Sequence, residues 1–300
     1  MSNWIATAGT LAGAGVVAGA GSLGYALWEA RQYRLREFRV PVLPAGCPSI
    51  RILHLSDLHL TARDADRAAW VAGLAELEPD LVVGTGDFLS ADSGIPLVAD
   101  ALHRLRTRPG VFVFGSNDVF GAKPINPTKY FRGPSQLPKK TRRTVLDTAR
   151  LREVLASRGW RDLNNASCRL TVGAGVRVAL RGVGDPHVKW DRYRLVAGEW
   201  PAAEVRIGVV HAPYLRVLDG MSDDGADLIL AGHTHGGQVC LPVVGTLVTN
   251  CDLDRARARG LSRYEDSWLH VSAGLGTNPN APIRVACRPE ASLLTLTPRT

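Results

Sequence analysis

Five short apolar runs, each closed by an aspartate, an asparagine or a histidine, constrain this chain more than any other feature. Ile50 to Leu55 ends in Ser56-Asp57, Leu81 to Val83 in Gly86-Asp87, and Val111 to Phe114 in Gly115-Ser116-Asn117-Asp118. Val205 to Val210 ends at His211, and Asp227 to Leu230 at Gly232-His233-Thr234-His235. Between the first three runs, residues 64–78 carry Trp70, Val71, Leu74 and Leu77 at helical spacing, and residues 95–106 also read as helix. This β-α-β-α-β alternation predicts a parallel sheet with right-handed crossovers. In open α/β sheets, ligands bind just beyond the C-terminal strand ends. One Asp or Asn there is an ordinary turn former. Five polar closures in succession, all of metal-ligating type, point to one rim.

The donors on that rim are Asp57, His59, Asp87, His211, His233 and His235, with amide donors in the 115–118 loop. A mixed Asp/His set suits Mn, Fe or Zn better than Ca or Mg. The set is too large for one tetrahedral ion, and two ions about 3.5–4 Å apart would use it. Gly86-Asp87 offers a carboxylate with little steric cover, suited to bridging.

The series DLH (57–59), GD (86–87), GSND (115–118), His211 and GHTH (232–235) resembles the calcineurin-like metallophosphoesterases, over roughly residues 50–275. GHTHGGQ followed by Pro242 and Gly245 looks like the membrane-associated bacterial branch described as YkuE-like. The resemblance implies an α/β four-layer sandwich of two mixed β-sheets flanked by helices. It implies that Asp57, His59 and His235 hold one metal, that Asp87 bridges, and that His211 and His233 hold the second with an amide from the loop. A metal-bridging hydroxide would attack phosphorus in line. The chain departs from the family in two places. Ser90 stands where GDxxD has its second Asp, and Gly115-Ser116-Asn117-Asp118 replaces GNHD or GNHE. In direct register Ser116 replaces the amide ligand and Asn117 the histidine that assists catalysis. A one-residue shift would bring Asn117 to the metal, which is the reading adopted here. Asp87, Asn117 and Asp118 are then the candidate catalytic residues.

Ile5 to Trp28 contains no charged residue, which is long enough for a transmembrane helix. Trp4 and Trp28 bracket it, and Gly9/Gly13 and Gly15/Gly19 give the GxxxG spacing of packed helices and of self-association. A cleaved signal peptide is the rival, but it would want a basic n-region, and only Met1, Ser2 and Asn3 precede Trp4. Arg31, Arg34, Arg36 and Arg39 follow the span, so a single-pass anchor would leave the catalytic part in the cytoplasm. The expected organisation is anchor and basic flank over 1–40, a Pro/Gly linker over 41–49, and the catalytic domain over 50–300. Five widely spaced cysteines, with no CxxC pair, read as free thiols in a reducing compartment.

The net charge is +8, with an arginine excess that reflects either genome composition or affinity for phosphates and anionic surfaces. The stretch 121–143 holds Lys123, Lys129, Arg132, Lys139, Lys140, Arg142 and Arg143, four prolines and no acidic residue. It is either a solvated basic loop or a lid that draws in a phosphorylated small-molecule or lipid substrate, with Lys123, Lys129 and Arg132 as contacts. Gly184-Asp185-Pro186-His187 is either a capped turn or a second approach to the substrate through His187. No nucleic-acid-binding motif is present. The expected activity is that of a membrane-anchored dinuclear-metal phosphohydrolase cleaving phosphodiester or pyrophosphate bonds on a lipid-linked or membrane-proximal substrate. The alternatives are a phosphomonoesterase or protein phosphatase, and a catalytically weak metal-bound scaffold for phospholigands.

Overall fold

The structure, a computed structural model, describes residues 21–122, 143–157, 159–241 and 243–299. Two six-stranded sheets organise it. The first contains β1 (Arg34–Leu43), β2 (Ile50–Leu55), β3 (Leu81–Gly84), β4 (Gly110–Phe112) and β5 (Arg161–Asp162), with the last strand, β14 (Glu290–Pro298), inserted between β1 and β2. β2 through β5 are parallel, β14 runs antiparallel to β2, and β1 is parallel to β14. The second sheet contains β6 (Ala166–Val172), β7 (Val176–Gly182), β8 (Val205–Val209), β9 (Leu228–Ala231), β12 (Gly260–Tyr264) and β13 (Ser267–Val271). Its centre, β7-β8-β9-β13, is parallel, and both edge strands are antiparallel. A two-stranded ribbon of β10 (Cys240–Leu241) and β11 (Gly245–Thr246) stands apart.

Strands buried on both faces need apolar residues at every position, which is why β2, β3 and β9 read as continuous runs. The two faces of β2 separate cleanly. Ile50 and Ile52 enter a core shared with Val178, Val205, Ile207 and Leu228 of the second sheet. Leu53 and Leu55 enter a core with Val71, Val98 and Leu151. These last come from helices α2 (Ala65–Gly73), α3 (Ile95–Leu102) and α4 (Thr148–Ala156), while residues 21–29 form α1. On the far side, Val217, Leu218 and Met221 of α5 (Leu215–Asp223) cover Ile229 and Val271. The layers therefore run helix, sheet, sheet, helix.

The N-terminal organisation differs from expectation. Residues 34–43, expected as basic flank and the start of a linker, form β1, with Val40, Val42 and Leu43 buried in the inter-sheet core. Arg34 bonds the buried Glu290 at 2.8 Å. Pro41 is accommodated because β1 is an edge strand. No helix among the described residues is long and apolar enough to cross a membrane. Most of the expected span, residues 5–20, lies outside the described residues, as do Lys123, Lys129 and Arg132 with the rest of 123–142. The two ends of that insertion meet: Phe120 and Val145 form a bridge, and Gly121 N–H donates to Thr144 O at 2.9 Å.

Candidate metal centre

The segments that follow β2, β3, β4, β8 and β9 converge at one edge. Asp57, His59, Asp87, His233 and His235 all have φ between 47° and 70°, a left-handed conformation that is uncommon away from glycine. Each bend turns a side chain inward at the end of its strand. Two glycines make room for the approach. A Cβ on Gly115 would overlap the Asp87 carboxylate, and one on Gly232 would overlap Ser56 Oγ.

Asp57, His59 and His235 form a triangle. His59 Nε2 lies 3.3 Å from His235 Nε2, and Asp57 Oδ1 lies 3.6 Å from His235 Nε2 and 4.0 Å from His59 Nε2. Donors about 2.0–2.2 Å from one tetrahedral ion would sit roughly 3.3–3.6 Å apart. Asp57 Oδ2 accepts from Ser56 Oγ at 2.6 Å and from His233 N–H at 3.0 Å. Asp57 Oδ1 is buried with no hydrogen-bond partner. An orphaned carboxylate oxygen facing two imidazole nitrogens is the environment a cation completes.

A second group adjoins it. His211 Nε2 lies 3.5 Å from Asp87 Oδ2 and 3.3 Å from His233 Nδ1. Asp87 Oδ2 is also 3.5 Å from His59 Nε2, so it stands between the groups. Asp57, Asp87 and His211 are close enough to offer one cation three donors. Asn117 Nδ2 lies 2.7 Å from Asp87 Oδ2, and Asn117 N–H donates to Asp87 Oδ1 at 2.9 Å. The structure thus brings Asn117 into the cluster.

The outward nitrogen of each imidazole is engaged. His211 Nδ1 meets Thr85 O at 2.7 Å, His233 Nε2 meets Asn250 O at 3.2 Å, and His235 Nδ1 meets Gly276 O at 3.2 Å. A carbonyl accepts only, so His211 Nδ1 carries a proton, while His233 Nε2 and His235 Nδ1 also face donors, Asn250 Nδ2 and Arg284 Nη2, both at 3.4 Å. His59 Nδ1 bonds Ser90 Oγ at 3.0 Å, so the serine that breaks GDxxD still orients a ring of the centre. Burial holds His59, His233 and His235 below the usual imidazole range, His235 down to about 4. Neutral imidazole is the metal-binding form. Burial also opposes charge on His211, but Asp87 and Asp185 outweigh it and hold its pKa well up.

Two further candidates lie beside these groups. Asp118 accepts from the backbone N–H of Asp87, Gly115 and Leu89 at 2.7, 3.0 and 3.1 Å. It is fully buried and braces the loops around Asp87. Burial and Asp87 push its carboxyl up to about 8, against those amides. His187 does approach the centre. Its ring centroid lies 4.5 Å from that of His233, and its Nδ1 is 3.0 Å from Tyr214 Oη. Asn250, Thr85 and Gly276 contribute through backbone carbonyls, which leave no mark in a sequence. Arg284 is fully buried behind His235, with nothing in its local spacing to single it out.

Paired Asp/His groups at the strand ends of a double-sheet α/β sandwich define a metal-dependent hydrolase. The chain belongs to the calcineurin-like phosphoesterase family, whose profile matches residues 50–237. The uncharacterized metallophosphoesterase YkoQ of Bacillus subtilis is 30% identical over 83% of this chain and 84% of its own length. The uncharacterized metallophosphoesterase YkuE of the same organism is 24% identical over 92% and 90%. Phosphodiesterase YaeI of Escherichia coli is 27% identical over 97% and 96%. The protein is accordingly a metallophosphoesterase, a phosphoric-ester hydrolase.

Proposed function

We propose that the protein cleaves phosphodiester or pyrophosphate bonds with two cations, on a lipid-linked or membrane-proximal substrate. One cation would be held by Asp57, His59 and His235, the other by His211, His233 and Asn117, with Asp87 shared. The observation that carries this reading is the orphaned Asp57 Oδ1 beside two facing imidazole nitrogens, next to a second group that shares Asp87. Bound there, Mn, Fe or Zn ions would acidify water and offset charge developing on the phosphoryl oxygens. The chain's own residues set the geometry. Asn117 fixes the Asp87 carboxylate through two hydrogen bonds, and His187, seated by Tyr214, borders the second group where a phosphate oxygen would lie.

The name of the YaeI relative favours a diester over a monoester, and the basic insertion favours an anionic substrate. The uncharged stretch Ile5 to Trp28 supports anchoring, with the catalytic part cytoplasmic and GxxxG contacts available between copies. A weakly catalytic scaffold draws support from one observation, the absence of a histidine in the Ser116-Asn117 loop. Mn²⁺-dependent hydrolysis of bis-p-nitrophenyl phosphate against p-nitrophenyl phosphate separates the readings. Faster diester turnover is expected, monoester preference points to a phosphomonoesterase, and turnover of neither substrate supports the scaffold. Full-length protein should sediment with membranes and resist salt extraction. Digestion of its catalytic part from outside spheroplasts would overturn the orientation.

A further inference from the structure

Arg284 is the largest fully buried side chain in the structure. Taking a guanidinium out of water costs several kcal/mol unless its protons are satisfied. Among the described residues, no carboxylate lies in hydrogen-bond contact with it. Nε has no hydrogen-bond partner, Nη2 lies 3.4 Å from His235 Nδ1 and Nη1 3.8 Å from Cys287 Sγ, and the remaining partners are backbone carbonyls from three places. Nη2 donates to Ala273 O, Gly274 O and Gly276 O at 2.8, 3.1 and 2.7 Å. Nη1 donates to His235 O and Cys287 O, both at 3.3 Å. The 273–276 loop is the backing of the first cation group. Leu275 N–H donates to Ser56 O at 3.1 Å, Gly276 N–H to Asp57 O at 2.6 Å, and Gly276 O receives His235 Nδ1. The guanidinium therefore ties the turn carrying His235 to the loop that backs Asp57 and His59. It donates to no carbonyl of Asp87, Asn117, His211 or His233.

Arg284 is itself seated from the N-terminal side. Its N–H donates to Ala26 O of α1 at 3.0 Å. The Glu29 carboxylate, only 3% exposed, accepts from Ala286 N–H at 2.9 Å and Cys287 N–H at 3.0 Å. Ala286 has φ 51°, a left-handed conformation that these bonds hold in place. The line of contact runs from α1 through Glu29 to the 284–287 turn, and through Arg284 to His235.

We propose that Arg284, seated by Ala26 and Glu29 of α1, is a positioning residue for the Asp57–His59–His235 cation and for that cation alone. The N-terminal helix is then part of the metal centre's support, not a detachable tether. This inference rests on the two-cation reading above. A planar fork donating to carbonyls on both sides explains why an arginine occupies the place: a lysine ammonium cannot span them, and a neutral side chain would leave them unpaired.

The test is calorimetric titration of chelator-stripped full-length protein with Mn²⁺, with metal content measured alongside. Two binding events are expected, and loss of one in His235→Ala identifies the first site. Arg284→Gln should weaken that event by about 10–100-fold and leave the other unchanged. Arg284→Lys should fall between, and Glu29→Ala should shift the same event in the same direction. Equal weakening of both events, or of neither, overturns the proposal. Should Arg284→Gln fail to fold, Glu29→Gln, which keeps one acceptor oxygen, decides by the same selective shift. Fewer than two ions on the wild-type chain would instead sink the two-cation reading itself.

Discussion

A non-glycine residue held in the left-handed region costs about 1–3 kcal/mol, and such strain gathers where a function needs it. Here five candidate ligands carry it, so the surrounding hydrogen bonds must over-determine their positions. Asp118 is one source of that determination, since it fastens Asp87, Leu89 and Gly115 at once. Asp118→Asn puts an amide donor against one of these N–H groups. It should destabilise the fold by about 1–3 kcal/mol, measured by denaturant unfolding. Asn117→Ala should weaken the second cation by about 10–100-fold, whereas Ser116→Ala should change affinity little. The reverse order in a metal titration would return the loop to the family's register. The donors themselves were legible in the sequence, because Asp and His at strand ends are chemically conspicuous. Their supports were not. Thr85, Asn250 and Gly276 act through carbonyls common to every residue, and Ser90 reads as a defect in GDxxD until its Oγ is found on His59.

At the level of elements, apolar runs and helical spacing forecast β2, β8, α2 and α3 closely, because burial on both faces or one writes itself into composition. The expected helices at 64–78 and 95–106 end early, each tightening into a short 3₁₀ turn at Leu74–Leu77 and His103–Leu105. β1 escaped notice for a physical reason. It is an edge strand with one buried side, interrupted by arginines and Pro41, so it resembles a flank. Its pairing partner is 256 residues away, beyond any local pattern. The consequence is testable. A chain beginning at residue 50 lacks β1, strips Val40, Val42 and Leu43 from the core and bares the edge of β14. It should aggregate or lose cooperative unfolding, whereas a chain beginning at residue 21 should keep both. Circular dichroism melts and size-exclusion chromatography distinguish the two.

Across the whole molecule, charge is unevenly placed. Of the net +8, the 121–143 stretch alone supplies seven cations and no anion, leaving +1 for the rest. Attraction that comes from one stretch of sequence is screened within a Debye length of about 8–10 Å. KM for an anionic diester should therefore rise with salt, and Lys139→Gln/Lys140→Gln/Arg142→Gln should flatten that dependence in steady-state assays. Cation binding should also stabilise the fold as a whole. At a free Mn²⁺ concentration about 100 times Kd, one site adds roughly 2.7 kcal/mol, lost on chelation and absent for the first site in Asp57→Asn. Thermal unfolding with and without chelator reads this directly. The stacking of two mixed sheets was expected only through the resemblance. No local signal reports that β14 enters between β1 and β2. That insertion has a bearing on biosynthesis. At about 5–20 residues per second, Arg34 waits roughly 13–50 s on the ribosome before Glu290 is made. Through that interval the first sheet lacks the strand that joins β1 to β2, and β1 has no pairing partner. Ala273 and Arg284 follow His235 by 38 and 49 residues. The nascent chain therefore presents the donors of its first cation group before it makes the loop and the guanidinium that brace them.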